Sequence, residues 1–331
     1  MALLQQKIVT IGAGTGQANL LQVLRRHYAN ITAIVGVTDN GGHSGLLRQQ
    51  FGIPQVGDGR QVLVALANNP EMAELFDHRF SSDDQTLNGA SLGNFILASL
   101  CQQEGSIAAA FAAASKLLGC HGTTLPFSTV STDISAVLAD GSKIVGEWQI
   151  MDRSPRLPIL DLFLEPAAPA YEGSVKAVKG ADWVIIGPGS LLTGIIPTFL
   201  ATGMAEAIQQ THAKLIYVSN LMTQPGQTDG FSVKDHILTL QKYAGRAPDF
   251  VVANKAAVDP VIMEHYKTIG SRPILDGHNL DNLPCRIIQA DLVPSTDGMP
   301  IQERIGQFKK WTHLLVHNAA KLAEILSNII V

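Results

Sequence analysis

Where four of the apolar runs end in this 331-residue sequence, glycines, hydroxyls or carboxylates follow. Gly12-Ala13-Gly14-Thr15-Gly16 comes directly after the run Lys7–Ile11, and Gly187-Pro188-Gly189-Ser190 after Trp183–Ile186. Glycines let a backbone turn sharply and approach a ligand, and a helix starting there offers unpaired amides to an anion. The stretch Thr38–Gly45 supplies Asp39, Asn40, Gly41, Gly42 and Ser44, and Gly57-Asp58-Gly59-Arg60 lies just beyond it. Asp39 and Asp58 suit Mg²⁺, which is held by one or two carboxylates together with the ligand's own phosphates. Asp39 alone also suits a ribose hydroxyl. Arg60 suits a bidentate grip on phosphate. The plainer alternative is that Asp58 caps the following helix and Arg60 pairs with an acid. A fourth loop, Ser219–Gly230, is long and rich in groups that hydrogen-bond a base or sugar, Asn220 and Thr223 among them. The chemistry indicated is the holding of a phosphorylated ligand, and no catalytic residue is assigned.

Missing motifs narrow the choice. A dinucleotide fingerprint needs a third glycine at position 17, where this chain has Gln17. Neither a nicotinamide nor a flavin cofactor is therefore expected. No lysine of the P-loop type follows a glycine loop, and neither G-x-S-x-G nor H-E-x-x-H occurs.

The elements that must position these loops alternate. Lys7–Ile11, Ile31–Val37, Trp183–Ile186, Leu215–Val218 and Phe250–Val252 read as buried parallel strands. Gln17–Tyr28, Pro197–Gln210, Val233–Tyr243 and Val258–Thr268 read as helices. The alternation predicts an α/β protein with a doubly wound, mainly parallel sheet, one domain over residues 1–331. The pattern turns β-like over residues 123–164, where Ile134–Leu138 and Lys143–Ile150 flank the hairpin signal Asp140-Gly141. That segment reads as a small β-rich insertion. The alanine-rich Ile107–Leu118 reads as a tightly packed helix. A last helix over Trp311–Ile330 carries an apolar face that is either core or a homodimer contact.

Hydrophobic residues make up 46% of the chain, ample for a core, and the net charge is −4. Without a basic excess, a nucleic-acid partner is disfavoured. Apolar stretches are too short to span a bilayer. Three cysteines without C-x-x-C spacing suit a reducing compartment, and no signal peptide is read at the start, so a cytoplasmic protein is expected.

Taken together, the loops resemble the YvcK family of gluconeogenesis factors. Ile11–Gly16 is similar to that family's opening glycine loop, usually G-G-G-T-G. Ile31–Gly45 is similar to its I-T-A-I-V-x-V-x-D-[DN]-G-G-x-S-G stretch. Gly52-Ile53-Pro54, Gly57-Asp58 with Arg60, Val62–Ala67 and Ser91-Leu92-Gly93-Asn94 continue the likeness. Gly187–Leu191, and Asn220 with Met222–Gly230, are similar to the family's I-G-P-G-S-L and N-x-M-T-Q-P-G-x-T-D-G segments. The resemblance implies a Rossmann-like fold and binding of UDP-sugars such as UDP-N-acetylglucosamine. It also implies a regulatory role in gluconeogenic growth, cell shape and cell-wall metabolism. Gly14, Thr15, Gly16, Gly189 and Ser190 would cradle phosphate, and Asn220 and Thr223 would hold base or sugar. Asn94 enters the same site through the S-L-G-N match. More distant relatives, the CofD-type transferases, move a phospholactyl group with Mg²⁺, and their metal carboxylates fall near Asp39 and Asp58 here. A phosphotransferase of that kind is the alternative reading. The chain departs from the pattern at Ala13, at Asn40 in place of a second aspartate, at Ala90, and at Val316 in place of an arginine.

Overall fold

The computed structural model describes residues 3–83, 87–274, 283–294 and 315–330. Its strands are β1 (Leu4–Gly12), β2 (Tyr28–Val35), β3 (Thr123–Pro126), β4 (Asp133–Leu138) and β5 (Lys143–Val145). They continue with β6 (Ile159–Glu165), β7 (Trp183–Ile186), β8 (Lys214–Val218), β9 (Phe250–Asn254) and β10 (Arg286–Ala290). Seven of them form one sheet in the order β10-β9-β8-β7-β1-β2-β3, and every pairing in it is parallel. This is the doubly wound α/β architecture that the alternation predicts. Ile8, Val9 and Ile11 of β1 and Val184, Ile185 and Ile186 of β7 are all buried, since parallel strands are covered on both faces. Burying one such side chain contributes about 1.5–3 kcal/mol.

The helices are α1 (Gly14–Leu24), α2 (Gly42–Phe51), α3 (Gly57–Leu66), α4 (Pro70–Asp77), α5 (Leu92–Glu104) and α6 (Ile107–Leu118). Then come α7 (Glu147–Asp152), α8 (Glu172–Lys179), α9 (Ile196–Leu200) and α10 (Met204–Gln210). The described helices end with α11 (Val233–Ala244), α12 (Pro260–Thr268) and α13 (Ala319–Ile329). α1 packs on α3 and α13, while α10 packs on α8, α9 and α11. The apolar face of α13 thus belongs to the core, through Leu322 and Leu326. Trp311 lies outside the described residues. No described helix is long and apolar enough to cross a membrane.

Four elements differ from the sequence reading, one being the β-like Lys143–Ile150: its strand stops at Val145, Gly146 adopts φ +101°, and α7 starts at Glu147. The first helix starts inside the glycine loop at Gly14 and stops at Leu24, and Tyr28 is the first residue of β2. A turn over Arg25–His27 separates them, and the buried aromatic ring of Tyr28 favours the strand. The span Pro197–Gln210 is two helices, because Gly203 adopts φ +95° between them. Thr123–Pro126 pairs with β2 as the outer strand of the main sheet, so the second sheet begins at Asp133.

That second sheet is antiparallel, in the order β5-β4-β6. Its hairpin turns at Asp140-Gly141, where the Asp140 carboxylate accepts from the Ser142 amide (2.9 Å) and hydroxyl (2.6 Å). Arg48 of α2 anchors it with a two-pronged ion pair to Asp133 at 2.7 and 3.0 Å.

Candidate ligand-binding site

β1 lies where the winding changes direction: β2 and β3 extend to one side, and β7 to β10 to the other. Doubly wound sheets bind ligands at the carboxyl edge of such a switch point. The loops after β1 and β7 meet there. A Cβ on Gly16 would lie 2.5 Å from the Pro188 carbonyl oxygen, so no larger residue lets the two backbones approach this closely. A Cβ on Gly189 would lie 3.2 Å from the Ala13 carbonyl oxygen. After β7 the chain makes a π-helical turn, Leu191–Ile195, a form concentrated at functional sites.

Gln17 shows why the third fingerprint glycine is absent. Its buried amide donates to the Ile34 carbonyl at 3.0 Å and to the Thr10 hydroxyl at 3.1 Å. It is a strut tying β1 to β2 beneath the loop.

On the β2 side stand the two acids. The Asp39 carboxylate accepts from the Gly41 amide at 2.8 Å and from the Gln55 amide group at 3.4 Å. Gln55, itself buried, also accepts from the Asp58 backbone amide at 3.3 Å, and so bridges the pair. The Asp58 pKa is pushed up to about 7, first by desolvation and next by the charge of Asp39. The Gly14 amide, at the start of α1, donates to Asp58 and pulls the other way. Asp58 lies in the first turn of α3, whose N-cap position is Val56, and makes no capping bond. It keeps partial solvent contact amid dense protein.

Arg60 is buried and its guanidinium pairs with Asp77 of α4. Gly59 beside it makes room for Phe111 of α6, whose ring would meet a Cβ at 2.2 Å. Ser44 accepts from Asn94 at 3.3 Å, joining the start of α2 to the start of α5. Thr15 donates to Gln61 at 3.3 Å. Asn40 points to α7: it accepts from the Trp148 amide and donates to Gln149, both at 2.9 Å. Gly12 leads into the first loop, and Gly42 opens α2 with φ +53°. Gly187, at φ +76°, begins the β7 loop.

The Ser190 hydroxyl contacts Thr193 and Gln227, each at 2.8 Å, and Thr193 donates to Glu147 of α7 at 2.9 Å. Thr223 uses its amide, carbonyl and hydroxyl on Ser271 and Arg272, clamping the two segments together. Asn220 Oδ1, Gln224 Oε1 and Gln227 Nε2 are enclosed yet have no partner among the described residues. Such groups recur at sites with a function beyond packing. His317, in place before α13, meets the Ser219 carbonyl through Nε2 at 2.9 Å, and burial pulls its pKa down to about 4.

The structure thus brings Gly14, Gly16, Asp39, Asp58, Gly189, Ser190 and Asn220 to one edge of the sheet, and turns Arg60 and Thr223 to partners within the protein. Sequence reasoning missed Gln55, Thr193 and Glu147, and held Gln227 only as one member of the long polar loop Ser219–Gly230. No local pattern marks them, since each matters through a residue far away in sequence. Two cavities of about 470 and 440 Å³ lie elsewhere, around Gly122 and Thr123 at the outer strand β3.

The family model described as 2-phospho-L-lactate transferase CofD matches residues 8–293. The chain belongs to the CofD family, in its YvcK branch. It is 39% identical to a curated relative from Nostoc sp. (strain PCC 7120), covering 97% of this chain and 68% of the relative. The gluconeogenesis factor of Bacillus subtilis is 36% identical over 290 residues, 87% of this chain and 91% of its own. A crystal structure of a Bacillus halodurans protein superposes with a TM-score of 0.88 at 34% identity, over 97% of this chain and 99% of that one. The matched span ends just past β10, and α13 lies outside it.

Proposed function

We propose that this chain is a nucleotide-sugar-binding regulatory protein, with UDP-N-acetylglucosamine as the ligand type, acting in gluconeogenic growth, cell shape and cell-wall metabolism. One observation carries the reading. The loops after β1 and β7 abut at the switch point, with Gly16 against Pro188, beside an acid pair that suits a ribose or a metal–diphosphate. The diphosphate lies against the glycine loop at the start of α1 and the Gly187–Ser190 loop, and Asn220 faces the base or sugar. Mg²⁺ fits the acid pair, because Asp39 raises the pKa of Asp58 and a divalent cation relieves that repulsion. Two carboxylates are too few for an all-protein site, and no group of three or more ligating side chains occurs among the described residues. The cation would therefore arrive with the diphosphate, held by Asp39 and Asp58.

The phosphotransferase reading draws on the same pair, since a carboxylate titrating near 7 is suited to moving protons. A thermal-shift screen separates the readings. UDP-N-acetylglucosamine at a hundredfold excess over its Kd should stabilise by about 2.7 kcal/mol, and NAD and NADP not at all. Stabilisation by a nicotinamide cofactor alone sinks the proposal, and turnover of a phospholactyl donor favours the transferase.

A further inference from the structure

The insertion does more than decorate the sheet edge. Its helix α7 is fastened to three of the loops that form the crevice. Asn40, in the loop after β2, holds the Trp148 amide and the Gln149 side chain. Glu147 holds Thr193, after β7. Gly226, after β8, lies close to the Met151 carbonyl and Arg153, at 3.2 and 3.4 Å from where its Cβ would be. The Arg48–Asp133 pair locks the sheet behind α7 to α2. A short helix so fixed presents whatever it exposes at one defined place.

What it exposes is an indole. Trp148 is 50% exposed, although its neighbour Ile150 is fully buried. Trp148 Cε3 and Asp39 Oδ1 flank the same point: both come within 4 Å of where a Cβ on Gly41 would stand, at 3.7 and 3.2 Å. The next residue, Gly42, has open space on its side-chain face, with nothing within 4 Å. An open, flat, aromatic surface therefore adjoins the carboxylate that the nucleotide reading places on the ribose or on the cation of the adjoining diphosphate. A base is bonded to its ribose, so the base lies within reach of this surface.

We propose that Trp148 is the stacking platform for the ligand's planar base, a subsite contributed by the insertion and separate from the phosphate loops. The assignment rests on the nucleotide reading of the crevice. It names the ligand class more narrowly, as a nucleoside diphosphate whose base is stacked rather than read by hydrogen bonds alone. Stacking tolerates any base, so discrimination among bases falls to the polar loop after β8.

The test uses the whole chain, with calorimetry on UDP and on inorganic pyrophosphate, which has no base. Trp148→Ala should weaken UDP about 5- to 150-fold, the value of one base–aromatic stack, and leave pyrophosphate unchanged. Trp148→Phe should keep most of the UDP affinity. UDP should quench the wild-type tryptophan emission and do so far less in Trp148→Phe, which retains the other two tryptophans. Equal UDP affinity in wild type and Trp148→Ala overturns the platform while leaving nucleotide binding intact. So does an equal loss for pyrophosphate, which would mean that the indole only props the wall. A wild-type protein that binds neither probe overturns the nucleotide reading itself and the platform with it.

Discussion

Along the seam between β1 and β7 the contacts are steric, made of backbone against backbone. Gly16 faces Pro188, and Gly189 faces Ala13. On the β2 side the contacts are electrostatic: Asp39, Gln55 and Asp58 share hydrogen bonds and a charge they cannot comfortably hold together. The seam has no titratable side chain, so its shape is independent of pH and salt. Asp58 does titrate, so whatever it helps to hold depends on both. A phosphate cradle and a cation or ribose subsite make different demands, and the fold meets them with different physics on either side of α1.

Substitutions can break or sharpen that contrast. Gly16→Val should act hardest, since its branched side chain cannot fit 2.5 Å from the Pro188 oxygen. The seam must open, with UDP-sugar affinity falling more than about a hundredfold and stability falling by about 1–3 kcal/mol. Both losses should be the same at pH 5 and pH 8. A variant that binds and melts like wild type would show that the loops do not touch in solution.

Gln17→Gly restores the dinucleotide fingerprint and removes the strut between β1 and β2. It should cost about 2–3 kcal/mol in chemical denaturation and confer no NAD binding. Appearance of NAD binding would mean that the fingerprint, not the strut, decides the ligand.

Asp58→Asn probes the electrostatic side. The folded-state pKa near 7 lies above the ordinary carboxylate value, so the fold favours the protonated acid. Its stabilising contribution is full below about pH 4 and is lost as the pH rises through about 7. An asparagine at this position carries no such penalty, so the variant should match wild type near pH 4 and exceed it by about 2 kcal/mol at pH 8. It should also lose any dependence of UDP-sugar binding on Mg²⁺. Parallel stability profiles from pH 4 to 8 would remove the strain from the acid pair.

Ser190→Ala should act least. The hydroxyl already has Thr193 and Gln227 as partners, so its removal should cost about 1 kcal/mol of stability. UDP-sugar affinity should fall about fivefold if the hydroxyl turns to phosphate on binding. Unchanged calorimetric affinity would assign that hydroxyl to the loop's internal network alone.

Local signals carried much of this. The five apolar runs read as strands all occur in the sheet, because a strand covered on both faces must be continuously apolar. The alanine-rich helix runs from Ile107 to Leu118 as read, with Ser106 capping its start and Gly119 ending it. The sequence reading lacked β10 and the short helices α2, α4, α7 and α8. Arg286–Ala290 is half-exposed and mixed in polarity, so its pattern is weak.

Residue type and spacing determined by themselves where the glycine loops and carboxylates fall, and the family to which they belong. Those are properties of neighbours in the chain, and local sequence records them. Only the tertiary structure decided what each group faces. Arg60 turned to Asp77, Thr223 to Arg272, and Asn40 to Trp148, while Gln55 came between two acids it adjoins in no local pattern. The partner of a buried polar group is set by which distant segment packs against it, and that depends on strand order and helix packing, which no window of sequence contains.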